Sequence, residues 1–323
     1  MKFETDPFYL FPIKSDLLDK LFIDRENEIN IAKSIIQYEF EGHKEICVIN
    51  GGTGVGKSSL LQYINKLSIE AGKKTCLCKD YQEFKSEKIE EGVLIIDNID
   101  KLKDEKVTKF YNKLEMMFET SGTIFFSDTY NRSRDVVNSR NFIVSDIISL
   151  PRGLDKDKLR FFLDERMKNC VSDKEEYSFP FTDKALIISS KRANGNLRRF
   201  LRYTKSGWTI YRSKERTKLD EDIMKESVIN VDRSLLGGLD STDLRILWYS
   251  TIGEPNKEYL AHECNIHRNT LNQRLSHNIN NLTSERREGK KVIINSIYKE
   301  LEGGQEILEE ILKGMGHFSD IVE

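Results

Sequence analysis

Gly51-Gly52-Thr53-Gly54-Val55-Gly56-Lys57-Ser58 fits the phosphate-loop pattern G-x-x-x-x-G-K-[ST] at every fixed position. The apolar run Ile46–Ile49 precedes it, and Ser59–Ile69 follows with helical spacing, so the motif joins a strand to a helix. Glycines let such a loop form a nest of backbone N–H groups aimed at phosphate oxygens. The helix that follows adds the positive end of its dipole. Lys57 is expected to reach the β- and γ-phosphates and Ser58 to ligate Mg²⁺. Gly52, Thr53, Gly54, Val55, Gly56, Lys57, Ser58 and Ser59 are thus the candidate nucleotide-binding residues. A second strand, Val93-Leu94-Ile95-Ile96-Asp97, ends in a carboxylate suited to the same metal, which makes Ser58 and Asp97 the candidate metal ligands.

Outward from this loop, apolar runs recur at Glu45–Asn50, Thr75–Cys78, Val93–Asp97, Thr123–Ser127 and Phe142–Leu150. Amphipathic stretches such as Leu60–Ile69 and Val107–Phe118 separate them. Strands alternating with helices predict a parallel sheet flanked by helices. From Pro151 the pattern turns helical, with helices expected at Asp155–Cys170, Thr182–Arg192 and Asn196–Arg212, and a polar connector at Ser213–Asp222. At roughly 150 residues per domain, the 323 residues make room for two domains. The pattern divides them further, into a nucleotide-binding base (1–151), a helical lid (152–235) and a C-terminal module (236–323).

That module reads as a helix at Asn256–Ala261, a turn at Cys264-Asn265-Ile266 and a second helix over His267–Thr283. Leu271, Leu275, Ile279 and Leu282 line one face of the second helix, while Arg268, Asn269, Asn272 and Gln273 lie opposite. Such side chains suit base edges and phosphates. The basic turn Arg286-Arg287-Glu288-Gly289-Lys290-Lys291, leading into Val292–Ile294, resembles the wing of a winged helix. Arg268, Asn269, Asn272, Gln273, Arg286, Arg287, Lys290 and Lys291 are the candidate DNA contacts.

The formal net charge of −2 excludes a uniformly cationic coat, so a nucleic-acid site must be a local patch. Asn256–Lys299 carries eight cations against four acids, whereas Glu300–Glu323 carries one cation against seven acids. Ile307, Leu308, Ile311 and Leu312 in that acidic tail have the spacing of a short amphipathic helix. Met1–Leu18 lacks the apolar core of a signal peptide, and no apolar run is long enough to span a membrane. Five cysteines without a Cys-x-x-Cys pair predict neither zinc nor disulfides, and a reducing cytoplasm is the expected setting. Cys76 and Cys78, two apart on one strand face, read as small buried apolar residues.

Several stretches together resemble the initiator-type AAA+ ATPases: the origin-recognition proteins of archaea and eukaryotes, and the bacterial DnaA group. Phe22-Ile23-Asp24-Arg25-Glu26-Asn27-Glu28-Ile29 is similar to a segment that packs beside adenine, with Asp24 where the family has Gly. It implies a nucleotide contact for Arg25. Thr123-Ile124-Phe125-Phe126-Ser127-Asp128 resembles the strand ending in the sensor-1 polar residue, with Asp128 at its tip. Ser139-Arg140-Asn141-Phe142 is similar to the arginine-finger segment, with Arg132 and Arg134 as competitors. Gly195-Asn196-Leu197-Arg198-Arg199 looks like the sensor-2 motif, which implies that Arg198 reads the γ-phosphate.

The resemblance implies an α/β P-loop AAA+ base, an all-α lid and a C-terminal winged-helix domain. Lys57, Asp97, Asn98, Asp100, Asp128, Arg140 and Arg198 are its implied catalytic set. Two departures matter. Many AAA+ ATPases carry Glu after the strand-terminal Asp, and here Asn98 stands there. An amide positions water but takes up no proton, so slow hydrolysis is expected unless Asp100 substitutes. Only Asp80–Gly92 separates the second and third strands, which leaves little room for the extra initiator helix. The expectation is an ATP- and Mg²⁺-dependent switch on double-stranded DNA, oligomerising with ATP, in replication initiation or machine loading. A transposition regulator or defence ATPase that recruits a partner enzyme is one alternative. A signalling ATPase with a protein-binding winged helix is another.

Overall fold

The computed structural model describes residues 6–8, 25–37, 44–52, 54–83, 92–99, 109–110, 112, 122–128, 143–150, 156–171, 177–214, 216–279, 282–288, 291–299 and 304–322. The chain forms two compact units, one of Met1–Phe179 with Gly195–Arg199, the other of Pro180–Asn194 with Phe200–Glu323.

In the first unit, strands β1 (Lys44–Asn50), β2 (Thr75–Cys78), β3 (Val93–Ile96), β4 (Gly122–Asp128) and β5 (Ile143–Ser149) form one sheet. Its order is β2-β3-β4-β1-β5 and every pairing is parallel. Helices α1 (Glu26–Gln37), α2 (Lys57–Glu70) and α3 (Lys156–Lys168) belong to the same unit. All five expected apolar runs are strands. The run in β3 is continuous and fully buried because both sheet faces are covered there, whereas the edge strands β2 and β5 keep exposed Leu77 and Asp146. Ile46, Val48, Leu94, Ile96, Ile124 and Phe126 pack on one face with Ile99 and Phe110. Cys47, Ile49, Ile95 and Phe125 pack on the other with Ala32 and Ile36 of α1 and with Leu60, Leu61 and Ile64 of α2. In-register pairing of Asn50 with Asp128 brings the carboxyl ends of β1 and β4 level, which is where open α/β sheets bind ligands.

The second unit holds α4 (Asp183–Ala193), the remainder of α5 (Leu197–Ser213) and α6 (Glu221–Leu236). Helices α7 (Ser241–Ile252), α8 (Lys257–Glu263) and α9 (Arg268–His277) follow, then strands β6 (Thr283–Glu288) and β7 (Lys291–Ser296). Helices α10 (Gly304–Gly314) and α11 (Phe318–Val322) end it. Side chains of Thr182, Asp220, Asp240 and Asn256 cap α4, α6, α7 and α8, satisfying N–H groups that a helix start leaves free.

Several details differ from the sequence reading. Helices α6, α7 and α11 had no counterpart in it, although Asp220 caps α6 and its Ile223, Met224, Val228 and Leu236 are buried. The connector before it is not wholly exposed, since Leu219 is buried and bridges to Phe181. The helix expected over 267–283 ends at His277. Beyond it the Ile279 N–H bonds to the Arg274 carbonyl at 3.1 Å and the Leu282 N–H to the Ile279 carbonyl at 2.8 Å. Ile279 and Leu282 are still buried, so a turn delivers them to the core and mimics helical spacing.

The acidic tail is anchored by α10, whose Leu308, Ile311 and Leu312 join a core with Leu244, Leu247, Leu271 and Ile294. Cys47, Cys78, Cys170 and Cys264 are buried, Cys76 is half-buried, and all five are free thiols. The Cys76 and Cys78 sulfurs lie 3.9 Å apart. Burial, then the Cys76 neighbour, pushes the Cys78 thiol up to about 12. Among the described residues no helix is long and apolar enough to cross a membrane.

Candidate functional site

The glycine-rich loop runs from the end of β1 to the start of α2. Gly54 and Gly56 sit at φ 82° and 106°, a left-handed conformation that costs glycine little and other residues more. Gly51 is needed for a different reason: a Cβ there would lie 2.9 Å from Val55 and 3.1 Å from the Leu150 carbonyl. The Lys57 ammonium donates to the carbonyls of Gly51 at 2.7 Å and Gly52 at 3.0 Å, so it spans the loop. Val55 is buried under the loop, while Ser58 and Ser59 are half-buried on the first turn of α2. Arg25 is buried just before α1, 3.6 Å from Glu28.

Asp97 follows β3 and is held on three sides. Its N–H bonds to the Cys78 carbonyl at 3.0 Å. Its Oδ1 accepts from the Ser127 hydroxyl and from the Asn98 N–H at 2.9 Å. That N–H also reaches Ser127 Oγ at 2.8 Å. Ser127, fully buried, therefore braces the carboxylate, a role the sequence reading did not assign. The signal was available in register, because β3 and β4 pair Ile96 with Phe126 and so place Ser127 opposite Asp97. Asp128, also fully buried, lies one residue further on. Asn98 adopts φ 54°, and its Nδ2 donates to the Lys79 carbonyl at 3.2 Å, which ties the amide to the end of β2.

Asn194 and Gly195 are consecutive left-handed residues at φ 45° and 73°, making a tight corner before α5. The Leu197 N–H then donates to the Gly54 carbonyl at 3.1 Å, within the first unit. This hydrogen bond brings the Arg198 segment to the loop. Thr53, Asp100, Arg140, its competitors Arg132 and Arg134, and Lys290 lie outside the described residues.

In the second unit, Leu271 and Leu275 turn α9 into the core and leave Arg268, Asn269, Asn272 and Gln273 exposed. His267 Nδ1 accepts the Asn269 N–H at 3.2 Å and so caps the helix. Strands β6 and β7 form an antiparallel hairpin carrying exposed Arg286 and Lys291, with Arg287 in β6. Glutamates accompany several of these cations. Arg268 lies 2.9 Å from Glu258, Arg286 3.6 Å from Glu254, and Lys257 2.7 Å from Glu285.

Arg274, counted among the patch cations by sequence, is committed elsewhere. Its Nη1 lies 2.6 Å from Asp240 and 2.8 Å from Asp243, tying α9 to the start of α7. The hydrogen bonds from Asp240 and then Asp243 push the Arg274 guanidinium up. Burial acts to raise Asp240, but the Arg274 hydrogen bond and the N–H groups of Asp243 and Thr242 outweigh it and hold it below its usual value.

No family model matches the chain, and no curated protein matches it. Solved structures do. The Thermotoga maritima RuvB Holliday junction branch migration motor aligns over 94% of this chain and 95% of its own, at 17% identity and TM-score 0.53. Cdc6p from Pyrobaculum aerophilum aligns over 97% and 100%, at 11% identity and TM-score 0.51. The Aeropyrum pernix ORC2 protein, solved as ADPNP–ADP complexes, aligns over 97% and 99%, at 13% identity and TM-score 0.50. These likenesses concern the fold, and with the sheet order and the glycine-rich loop they show that the chain has the α/β P-loop fold of the AAA+ ATPases.

Proposed function

We propose that this protein is an ATP-binding AAA+ switch that grips duplex DNA through a C-terminal winged helix and hydrolyses ATP slowly. Its setting would be replication initiation or the loading of a replication or recombination machine. The observation that carries the reading is the loop itself: two left-handed glycines and a lysine held across a strand–helix junction, level with a braced carboxylate. Backbone N–H groups of residues 52–58 would hold the phosphates, with Lys57 supplying charge.

The donor set fits Mg²⁺: a serine hydroxyl on the first turn of α2 and a carboxylate whose other oxygen is already committed are hard oxygen ligands. Bound there, Mg²⁺ would neutralise phosphate charge. Ser127 would keep Asp97 turned to that task. Asn98 would hold water poorly, because its amide is engaged by the Lys79 carbonyl. Arg25 beside the base, Asp128, Arg198, and Arg140 from a neighbouring copy complete the proposed set, and an ATP-dependent oligomer follows from the last. Thr53 would line the loop and Asp100 would be the substitute base. The exposed polar face of α9 would enter the major groove and the hairpin cations, Lys290 with them, would meet phosphates.

The pairing of Arg268, Arg286 and Lys257 with glutamates favours a second reading, a winged helix that binds protein. Duplex binding measured against salt, with ATP, separates the two. The DNA reading expects affinity to fall steeply with salt, and Arg286→Ala/Lys291→Ala to flatten the slope by about 1 for each phosphate no longer neutralised. Lys57→Ala should weaken the ATP dependence without changing that slope. Absence of salt-dependent duplex binding would leave the protein-binding reading standing.

A further inference from the structure

We infer that Asn196 is a positioning residue that latches the first turn of α5 onto the tip of the phosphate loop, and that the latch sets the preference for triphosphate over diphosphate. The inference rests on the nucleotide reading of the loop given above.

Three observations carry it. The Leu197 N–H donates to the Gly54 carbonyl at 3.1 Å, so the helix is fastened to the loop through main-chain atoms. The Asn196 Oδ1 accepts the Arg199 N–H at 3.0 Å, so the same side chain closes the first turn that presents the Leu197 N–H. The Asn196 amide also lies against Gly54 so closely that a Cβ on that glycine would fall 2.2 Å from Oδ1 and 2.7 Å from Cγ. Gly54 thus has two reasons to be glycine, its φ of 82° and the amide upon it.

The pattern G-x-x-x-x-G-K-[ST] leaves position 54 free. In this chain the free position is matched to a residue far away in sequence. A loop whose tip is pinned this way has less conformational freedom to lose when phosphate binds. Arg198, two residues beyond Asn196, is carried by the pinned turn. Its approach to a terminal phosphate therefore depends on the latch, whereas the pinned loop serves the inner phosphates of ATP and ADP alike. Loss of the latch should reduce ATP affinity more than ADP affinity.

The experiment uses the full chain with Mg²⁺ and fluorescent ATP and ADP analogues in equilibrium binding. Asn196→Ala should lower the ATP-to-ADP affinity ratio by about fivefold or more. Asn196→Ser retains a helix-capping oxygen and should keep the ratio close to that of the unaltered chain. Gly54→Ala should weaken ATP binding, and adding Asn196→Ala to it should improve binding, because the colliding amide is then gone. Asn196→Ala would thus harm the native loop and help the Gly54→Ala loop. If Asn196→Ala only lowers the melting temperature and leaves the ratio unchanged, or if the sign does not reverse, Asn196 is a helix cap and the latch is refuted. An unaltered chain that binds neither analogue would instead refute the nucleotide reading.

Discussion

Replacing Asp232 with alanine tests whether the second unit is organised around a buried charge. Asp232 is fully buried on α6. Arg192 Nε of α4 donates to its Oδ2 at 2.6 Å, with Nη2 equally close, and the Tyr203 hydroxyl of α5 donates to its Oδ1 at 2.6 Å. The Arg192 guanidinium also lies 4.7 Å from the centre of the Tyr298 ring, just beyond β7. Three helices therefore meet at one carboxylate, and the segment after the hairpin packs on its arginine. Removing it strands a guanidinium whose side chain is 5% exposed, together with a buried hydroxyl. Breaking a buried pair from one side costs about 3–5 kcal/mol, against about 5–15 kcal/mol for a whole domain. At a urea slope of about 2 kcal/mol/M the midpoint falls by about 2 M. The assay is tryptophan fluorescence, because both tryptophans, Trp208 and Trp248, lie in the second unit and report its unfolding alone. Arg192→Met/Asp232→Leu, which removes both charges, should regain most of the loss. A cost below about 1 kcal/mol for Asp232→Ala would refute the reasoning. So would a double variant no more stable than the single one.

Ser127→Ala removes the brace from Asp97, and Mg²⁺-dependent nucleotide affinity should fall about tenfold, read by calorimetry with and without Mg²⁺; an equal loss without metal contradicts the brace. Asn98→Glu supplies the missing base, so ATP turnover should rise despite a left-handed backbone cost of about 1 kcal/mol; unchanged phosphate release would show that Asn98 does not limit hydrolysis. The Arg274–Asp240 pair gives a pH signature. Its folded carboxyl lies below the usual 3.8, so its stabilisation is present above that value and is lost as pH falls through the lower, folded one. Arg274→Met should therefore be less stable than the native chain at neutral pH, with the gap closing in acid below 3.8. A gap that stays constant under acid denaturation argues against the pair.

Much of the fold was legible because it is local. The glycine-rich loop, Asp97 and the five apolar runs each declare themselves within a few residues, and a strand buried on both faces cannot avoid a continuous apolar run. The turn between α8 and α9 was legible for the same reason. Helix α6 was harder to see, since its apolar positions are broken by Ser227 and Asp232, which are buried only because Tyr203 and Arg192 partner them. Spacing also extended α9 past its end, because Ile279 and Leu282 reach the core through a turn.

The sequence by itself determined which chemistry is present: a phosphate loop, a strand-terminal carboxylate without a following glutamate, and a polar helix face beside a basic hairpin. Tertiary structure alone decided how those groups are committed. Ser127 braces Asp97 from a neighbouring strand, Asn98 is turned to Lys79, Asn196 rests on Gly54, and Arg274 serves α7 instead of the basic patch. The physical reason is range. Propensity and periodicity act over a turn or a strand, whereas a polar side chain's partner is set by whichever element the fold brings within about 3 Å.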